Sequence, residues 1–399
     1  MGSVTGKMVW LLLVATTLAI SIVAPVRAEA VTPARTGPVL LGTAFQYGQI
    51  QNNPTYRTQL LSHGYTVLTP EWEAKMDQVE TSSGVFDFSK PDAMLQFAED
   101  NGLQMRGHAL VWGQQVPAWV TNPSSPWTRT TLLAVMNDWI TTAVSRYAGR
   151  IHAWDVVNEP LNDDGTYKQN IWQQVIGNDY IEQALRTAHD ADPTARLYVN
   201  EYSAEWIWPK SNALYAIALD FKSRGVPLDG IGFQVHSDTR WPVPYADLVA
   251  NMTRFGNLGL RTDITEMDVG TSHYAGTTAQ KYEAQRVIYS DAAHACKISP
   301  SCWAFTTWGF TDNYTCLGSA ELPLPFDTSY QAKPRGAITS QLLVPSVGGI
   351  AESPQLAPLR SASANPDKRN PGSALAVVGG AVLLLVCGSA WVRRRLSSS

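Results

Sequence analysis

Between about residues 38 and 345 the chain alternates short β-branched, apolar runs with longer stretches whose apolar residues recur at helical spacing. Strands are predicted over 41–46, 65–69, 104–110, 152–157, 196–200, 230–236, 261–266 and 303–308. Helices are predicted over 92–100, 131–147, 171–191, 212–224, 245–257, 278–296 and near 335–343. The clearest is 131–147, where Leu132, Leu133, Val135, Met136, Trp139, Ile140 and Val144 recur at that spacing. Regular βα alternation requires crossover connections and hence a parallel sheet. Eight such units over about 300 residues fit a closed (β/α)8 barrel, an α/β fold. An open doubly wound sheet is disfavoured, because no glycine-rich dinucleotide fingerprint follows the first strand.

The pattern changes at both ends. Residues 1–30 read as a secretory signal peptide, with Lys7 in a short positive region and an apolar run over 8–23. Val26-Arg27-Ala28 offers small residues for cleavage, and Ala30 is a second candidate. A retained signal anchor is the competing reading, and Pro25 and Arg27 argue against it. Residues 31–345 form the expected catalytic domain. Residues 346–373 are rich in Ser, Ala, Pro and Gly and read as a flexible linker. Residues 374–392 carry no charge and would span roughly 28 Å as a helix, close to a bilayer core. Arg393-Arg394-Arg395 opens the short tail 393–399 and places it in the cytoplasm. The expectation is a monomeric domain outside the cell, tethered by a single-pass membrane helix.

Composition narrows the chemistry only slightly. A net charge of −4 supplies no basic field for nucleic acid. Fourteen Trp and fifteen Tyr could stack on sugar rings, although large aromatics mostly fill cores. The seven His include no His-x-x-x-His pair and no Cys cluster accompanies them, so no metal or cofactor is expected. No Gly-x-Ser-x-Gly elbow suggests a serine hydrolase. Cys296 and Cys302 suit a local disulfide, Cys316 has no obvious mate, and Cys387 reads as a small hydrophobe. Asn251 and Asn313 stand in Asn-x-Thr glycosylation sequons.

Two strand ends carry more specific information. Trp154-Asp155-Val156-Val157 runs directly into Asn158-Glu159-Pro160, and Asp263-Ile264-Thr265 into Glu266-Met267-Asp268. Each delivers a carboxyl to the C-terminal mouth of a buried strand, where barrel enzymes do chemistry. A lone Glu there would simply cap the next element; a pair is what cleavage of a glycosidic bond requires. The apolar residues before Glu159 would raise its pKa and suit it to proton donation, leaving Glu266 as nucleophile. His236, ending Phe233-Gln234-Val235-His236, and Asp268 would support Glu266. On chemistry alone either acid could take either role. Further polar clusters fall at the same mouth: Glu71 to Lys75, His108 to Trp112, Asn200-Glu201-Tyr202 and Trp308 to Asp312.

Taken together these residues resemble the family 10 glycoside hydrolases, the endo-β-1,4-xylanases, over roughly residues 40 to 340. The matching motifs are Thr69-Pro70-Glu71 with Lys75, Gly84-x-Phe86-x-Phe88, Arg106-Gly107-His108 with Val111-Trp112, and Trp154 to Glu159. They continue with Gly232-Phe233-Gln234 and His236, Thr265 to Asp268, Trp308-Gly309 with Asp312, Phe326-Asp327 and Lys333-Pro334. The resemblance implies a TIM barrel and net retention, with Glu159 as proton donor and Glu266 as nucleophile. It further implies that Glu71, Lys75, His108, Trp112, Asn158, Gln234, His236 and Trp308 line the glycone side of the cleft. Cys296 and Cys302 sit like a disulfide found in many members. The substrate implied is xylan. The same machinery on another β-glycan, or an inactive surface carbohydrate-binding protein, are the alternatives. Three positions depart from the pattern: Trp72 replaces an Asn, Gly113 a His, and Cys316 falls near a Trp. Loss of that Trp and His would open space around C5 of the sugar.

Overall fold

The computed structural model describes Gly2, residues 35–318 and residues 320–334. The chain divides into two units, 1–30 and 31–399, and the barrel belongs to the second. The predicted signal peptide, linker, membrane helix and tail, and the helix near 335–343, lie outside the described residues. Among the described residues, no helix is long and apolar enough to cross a membrane.

Nine strand segments build one parallel barrel. They are β1 (Leu40–Phe45), β2 (Val67–Pro70), β3 (Gln104–Trp112), β4 (Ala153–Asn158), β5 (Arg196–Glu201), β6 (Gly230–Phe233), β7 (His236–Asp238), β8 (Arg261–Gly270) and β9 (Ala304–Thr307). Each pairs in parallel with its neighbour, and the ring closes through β1 with β9 and β6 with β8. The predicted strand 230–236 is broken, because Gln234 and Val235 leave the ladder and Val235 turns through a positive φ of 58°. The result is eight barrel positions, with β7 continuing β6 along the end of β8. Strands such as β4 are buried on both faces, which is why they read as near-continuous apolar runs.

The helices follow the apolar periodicity, with departures of two kinds. The predicted helix 171–191 is two helices, Ile171–Ile176 and Tyr180–Ala191, interrupted at Gly177 with φ 101°. A helix over Pro54–Ser62 in the first βα unit has no counterpart in the prediction. It buries only Tyr56 and Leu60, too few apolar residues to mark a face. Local capping fixes several starts: Thr128 and Thr131 form a reciprocal cap for Arg129–Arg146, as Thr277 and Gln280 do for Thr278–Ile298.

The barrel interior is polar at its centre. Arg106 on β3 is buried and clamps Asp155 on β4 through Nε at 3.0 Å and Nη2 at 2.5 Å, reaching Asp263 on β8 at 3.3 Å. Burial alone would raise the Asp155 carboxyl, but Arg106 and His108 hold it down at about 2.

The structure bears out one cysteine reading and changes another, together with one sequon. Cys296 and Cys302 are bonded to each other, and Cys316 is also disulfide-bonded, although it has no evident mate in the sequence. Asn251 is fully buried and its amide donates to the carbonyls of Ala204 and Glu205, so glycosylation there is incompatible with this fold.

Candidate active site

The two glutamates occupy the same mouth of the barrel, at the ends of β4 and β8. Glu159 leaves β4 with φ 54°, a strained conformation for a residue with a β-carbon, and Pro160 then redirects the chain. Glu266 remains within β8 and is buried. A chain of amides joins them. Asn200 donates to Glu266 Oε1 at 2.6 Å and to Asn158 Oδ1 at 2.9 Å. Gln234 donates to Asn158 Oδ1 at 3.3 Å and to Glu159 Oε1 at 3.2 Å. Thr265 donates to Asn200 Oδ1 at 2.7 Å, which fixes the orientation of that amide.

Around Glu266 the charges alternate. His236 Nε2 lies 3.2 Å from Glu266 Oε2, and its Nδ1 lies 3.1 Å from Asp268 Oδ1. The latter is an ion-pair contact. Burial disfavours charge on His236, but Asp268 and Glu266 together hold its pKa well above the usual imidazole value. The ring is therefore held as a cation against the Glu266 carboxyl. His108 Nδ1 stands 3.8 Å from Glu266 Oε1 and 3.0 Å from Asp155 Oδ2. Trp308 presents an edge-on contact to His108, with ring centres 5.1 Å apart.

The residues after β2 and β3 form a second group. Lys75 is buried with its ammonium over the rings of Trp72, at 4.6 Å, and Trp112, at 4.8 Å. Burial lowers its pKa against the pull of Glu266 and Glu71. Glu71 accepts from Gln46 Nε2 at 2.7 Å, and burial pushes its carboxyl up to about 7. The two acids and the supporting and sugar-binding residues expected around them thus gather at the C-terminal end of the barrel.

One expectation is overturned: the apolar residues preceding Glu159 do not raise its pKa. Burial does act in that direction, but Lys168, Gln234 and Trp112 outweigh it and hold Glu159 below the ordinary glutamate value. Lys168 Nζ lies 3.1 Å from Glu159 Oε2. A second expectation is reduced: the place beside Gly113 is not open. A β-carbon at 113 would meet Asn170 Cβ at 2.7 Å, and Asn170 is committed to capping helix Ile171–Ile176.

Sequence reasoning did not single out Lys168 or Gln46, and gave Asn200 no role beyond membership of a polar cluster. Asn200 had a signal, since it closes the predicted strand 196–200; in the fold it stands beside Asn158 in register. Lys168 sits in a loop without periodicity, folded back by the bridge between Leu161 and Tyr167 and by its amide on the Pro160 carbonyl.

A (β/α)8 barrel with two carboxyls joined at its mouth and a cleft of Trp, Lys and amide groups defines a glycoside hydrolase. The chain belongs to glycosyl hydrolase family 10, whose model matches residues 31–340. It is 38% identical over 277 residues to endo-1,4-beta-xylanase B of Thermotoga neapolitana, covering 68% of this chain and 78% of that one. It is 34% identical over 305 residues to an endo-1,4-beta-xylanase of Agaricus bisporus, covering 75% and 90%. Xylanase 10B from Thermotoga petrophila RKU-1, solved in complex with xylobiose, superposes with a TM-score of 0.72 at 36% identity. That match covers 77% of this chain and 94% of that one.

Proposed function

We propose that the protein is a retaining endo-β-1,4-xylanase in which Glu266 attacks the anomeric carbon and Glu159 protonates the leaving oxygen. Family 10 membership carries the reaction class, and the site geometry supports the roles. Glu266 is held by the His236 cation and the Asn200 amide, both suited to stabilising a carboxylate nucleophile. Glu159 is the carboxyl that faces Trp112 of β3, Lys168 of the loop after β4 and Gln234 of the loop after β6. In the second half-reaction, water displaces the enzyme from the sugar and returns the original anomeric configuration. Glu71, Lys75, His108, Trp112, Gln234 and Trp308 bind the glycone, and Asn158, His236 and Asp268 support the acids. The test is proton NMR of early products from a xylooligosaccharide: the β-anomer is expected first, and initial α-anomer would refute double displacement.

The remaining organisation rests on sequence pattern alone. Residues 1–30 act as a signal peptide and residues 31–345 as the catalytic domain. Residues 346–373 act as a linker, 374–392 as a membrane helix and 393–399 as a cytoplasmic tail. The uncharged stretch followed directly by Arg393-Arg394-Arg395 supports an enzyme displayed as a monomer on the outer face of the membrane. Carbonate-washed membranes should retain the full chain and release a chain ending at residue 345.

The glycone specificity is a narrower matter. Asn170 closes the space beside Gly113, so any added room around C5 comes from position 316, where a disulfide-bonded cysteine stands near the place of a Trp. A closed pocket discriminates against one extra small group by roughly 10–200-fold. For this protein kcat/KM on an aryl cellobioside should fall within about tenfold of that on the aryl xylobioside. A gap beyond about 100-fold would show the pocket closed.

A further inference from the structure

Lys168 favours the wrong charge state of Glu159 for the first half of the reaction. A proton donor must carry its proton, whereas an ammonium 3.1 Å from Oε2 favours the bare carboxylate. The second half requires that carboxylate, because Glu159 must then take a proton from water. One residue therefore has to hold Glu159 in one state and free it in the other.

The loop geometry shows how Lys168 is brought there. Leu161 bridges Tyr167, and the Lys168 amide donates to the Pro160 carbonyl at 2.8 Å, so the loop returns its lysine to the acid from which it departed. The ammonium also lies 4.4 Å from the ring centre of Tyr202, just beyond β5. A second lysine, Lys210, lies over the same ring at 3.1 Å and is tied to Glu201 at 2.9 Å. Lys210 is fully buried while the Lys168 side chain is 21% exposed, so Lys168 is the one that faces the cleft.

The barrel order says which part of the substrate meets it. Glu159 follows β4 and Glu266 lies in β8; of the glycone residues, Glu71, Lys75, His108, Trp112 and Trp308 lie on or just after β2, β3 and β9 on one side of that line, and Gln234 alone follows β6 on the other. Tyr202 follows β5 on the other side, where the leaving sugar must lie. A sugar packing its apolar face on Tyr202 needs the position that Lys168 occupies.

We infer that Lys168 is a positioning residue that the leaving-group sugar displaces from Glu159 and Tyr202 on binding. Glu159 then takes a proton from solvent and donates it to the departing oxygen. Once that sugar has left, Lys168 returns and holds Glu159 ionised while it accepts the proton of the attacking water. The other groups facing Glu159 stay in place through this cycle. Lys75 acts from beyond β2, and Glu201, opposing it from β5, is held by Lys210; Gln234 and Asn158 contribute neutral amides.

The inference rests on Glu159 as the acid/base, and the experiment separates the two. The pH profile of kcat/KM reports the free enzyme, and that of kcat the bound complex. On a xylooligosaccharide, the wild-type alkaline limb of kcat/KM should lie at lower pH than that of kcat. Lys168→Met should move the kcat/KM limb upward by about one pH unit or more and close the gap, since an adjacent opposite charge is lost. Lys168→Arg should keep the wild-type profile. On dinitrophenyl xylobioside, whose leaving group needs no proton, Lys168→Met should move the acid limb of kcat upward. Melting curves check the fold, and Lys168→Gln replaces Lys168→Met if the latter is unstable. A kcat/KM limb that stays put in the folded Met or Gln variant overturns the inference, as does an Arg variant that shifts equally. If Glu159→Ala keeps the alkaline limb on the xylooligosaccharide, the acid/base assignment itself has failed.

Discussion

Glu266→Ala is expected to reduce xylan hydrolysis on the order of 10⁴-fold or more, because the covalent intermediate can no longer form. The protein should still fold. Asn200 keeps its bonds to Asn158 and Thr265, and His236 keeps Asp268, so the site loses a charge without losing its frame. Azide should partly restore cleavage of an activated aryl xylobioside by entering the vacated space, and the product should be the α-azide. Product analysis by NMR makes the test specific. A β-azide would mean that an enzyme nucleophile still acts and that Glu266 is not it. Residual xylan turnover above about a hundredth of wild type would lead to the same conclusion, given the size of effect a nucleophile carries.

The second large effect is on stability. Arg106→Met should destabilise the barrel by about 3–5 kcal/mol, the usual cost of leaving buried charges without their partner. For a domain of this size that corresponds to a fall in Tm of roughly 5–8 °C. Arg106 is shared between Asp155 and Asp263, and all three side chains are almost wholly buried. His108 still faces Asp155 in the variant, and the amides of Trp303 and Ala304 still donate to Asp263, which limits the loss. The pH dependence follows from Asp155, whose pKa in the fold is about 2 against an ordinary 3.8. Its contribution is complete above about pH 4 and is lost as the pH falls towards 2. The difference between wild type and variant should therefore narrow across that window. A difference that is constant from about pH 4 to about pH 2 would show that Arg106 acts by packing on Tyr198 rather than through the carboxylates. The contact exists, at 4.4 Å.

Much of the barrel was legible because buried parallel strands are short, apolar and β-branched, and their helices repeat with a different period. The helix Pro54–Ser62 escaped notice because it covers the barrel with Tyr56 and Leu60 alone. The break between β6 and β7 escaped because Gln234 and Val235 continue the strand-like composition while their backbone leaves the ladder. Of the site, Glu159 and Glu266 were visible as acids closing strand patterns. Lys168, nine residues beyond Glu159 in an irregular loop, had no pattern to betray it.

The sequence by itself determined the order of strands and helices, the delivery of two glutamates to one mouth of a barrel, and the family. Those properties depend on short-range periodicity and on which strand ends carry polar groups. The protonation states were decided only in three dimensions. His236 is cationic because carboxylates from its neighbouring strand flank it, and Glu159 is held ionised because a returning loop sets Lys168 against it. Charge interactions act through space over a few ångströms, and separation along the chain does not report that distance.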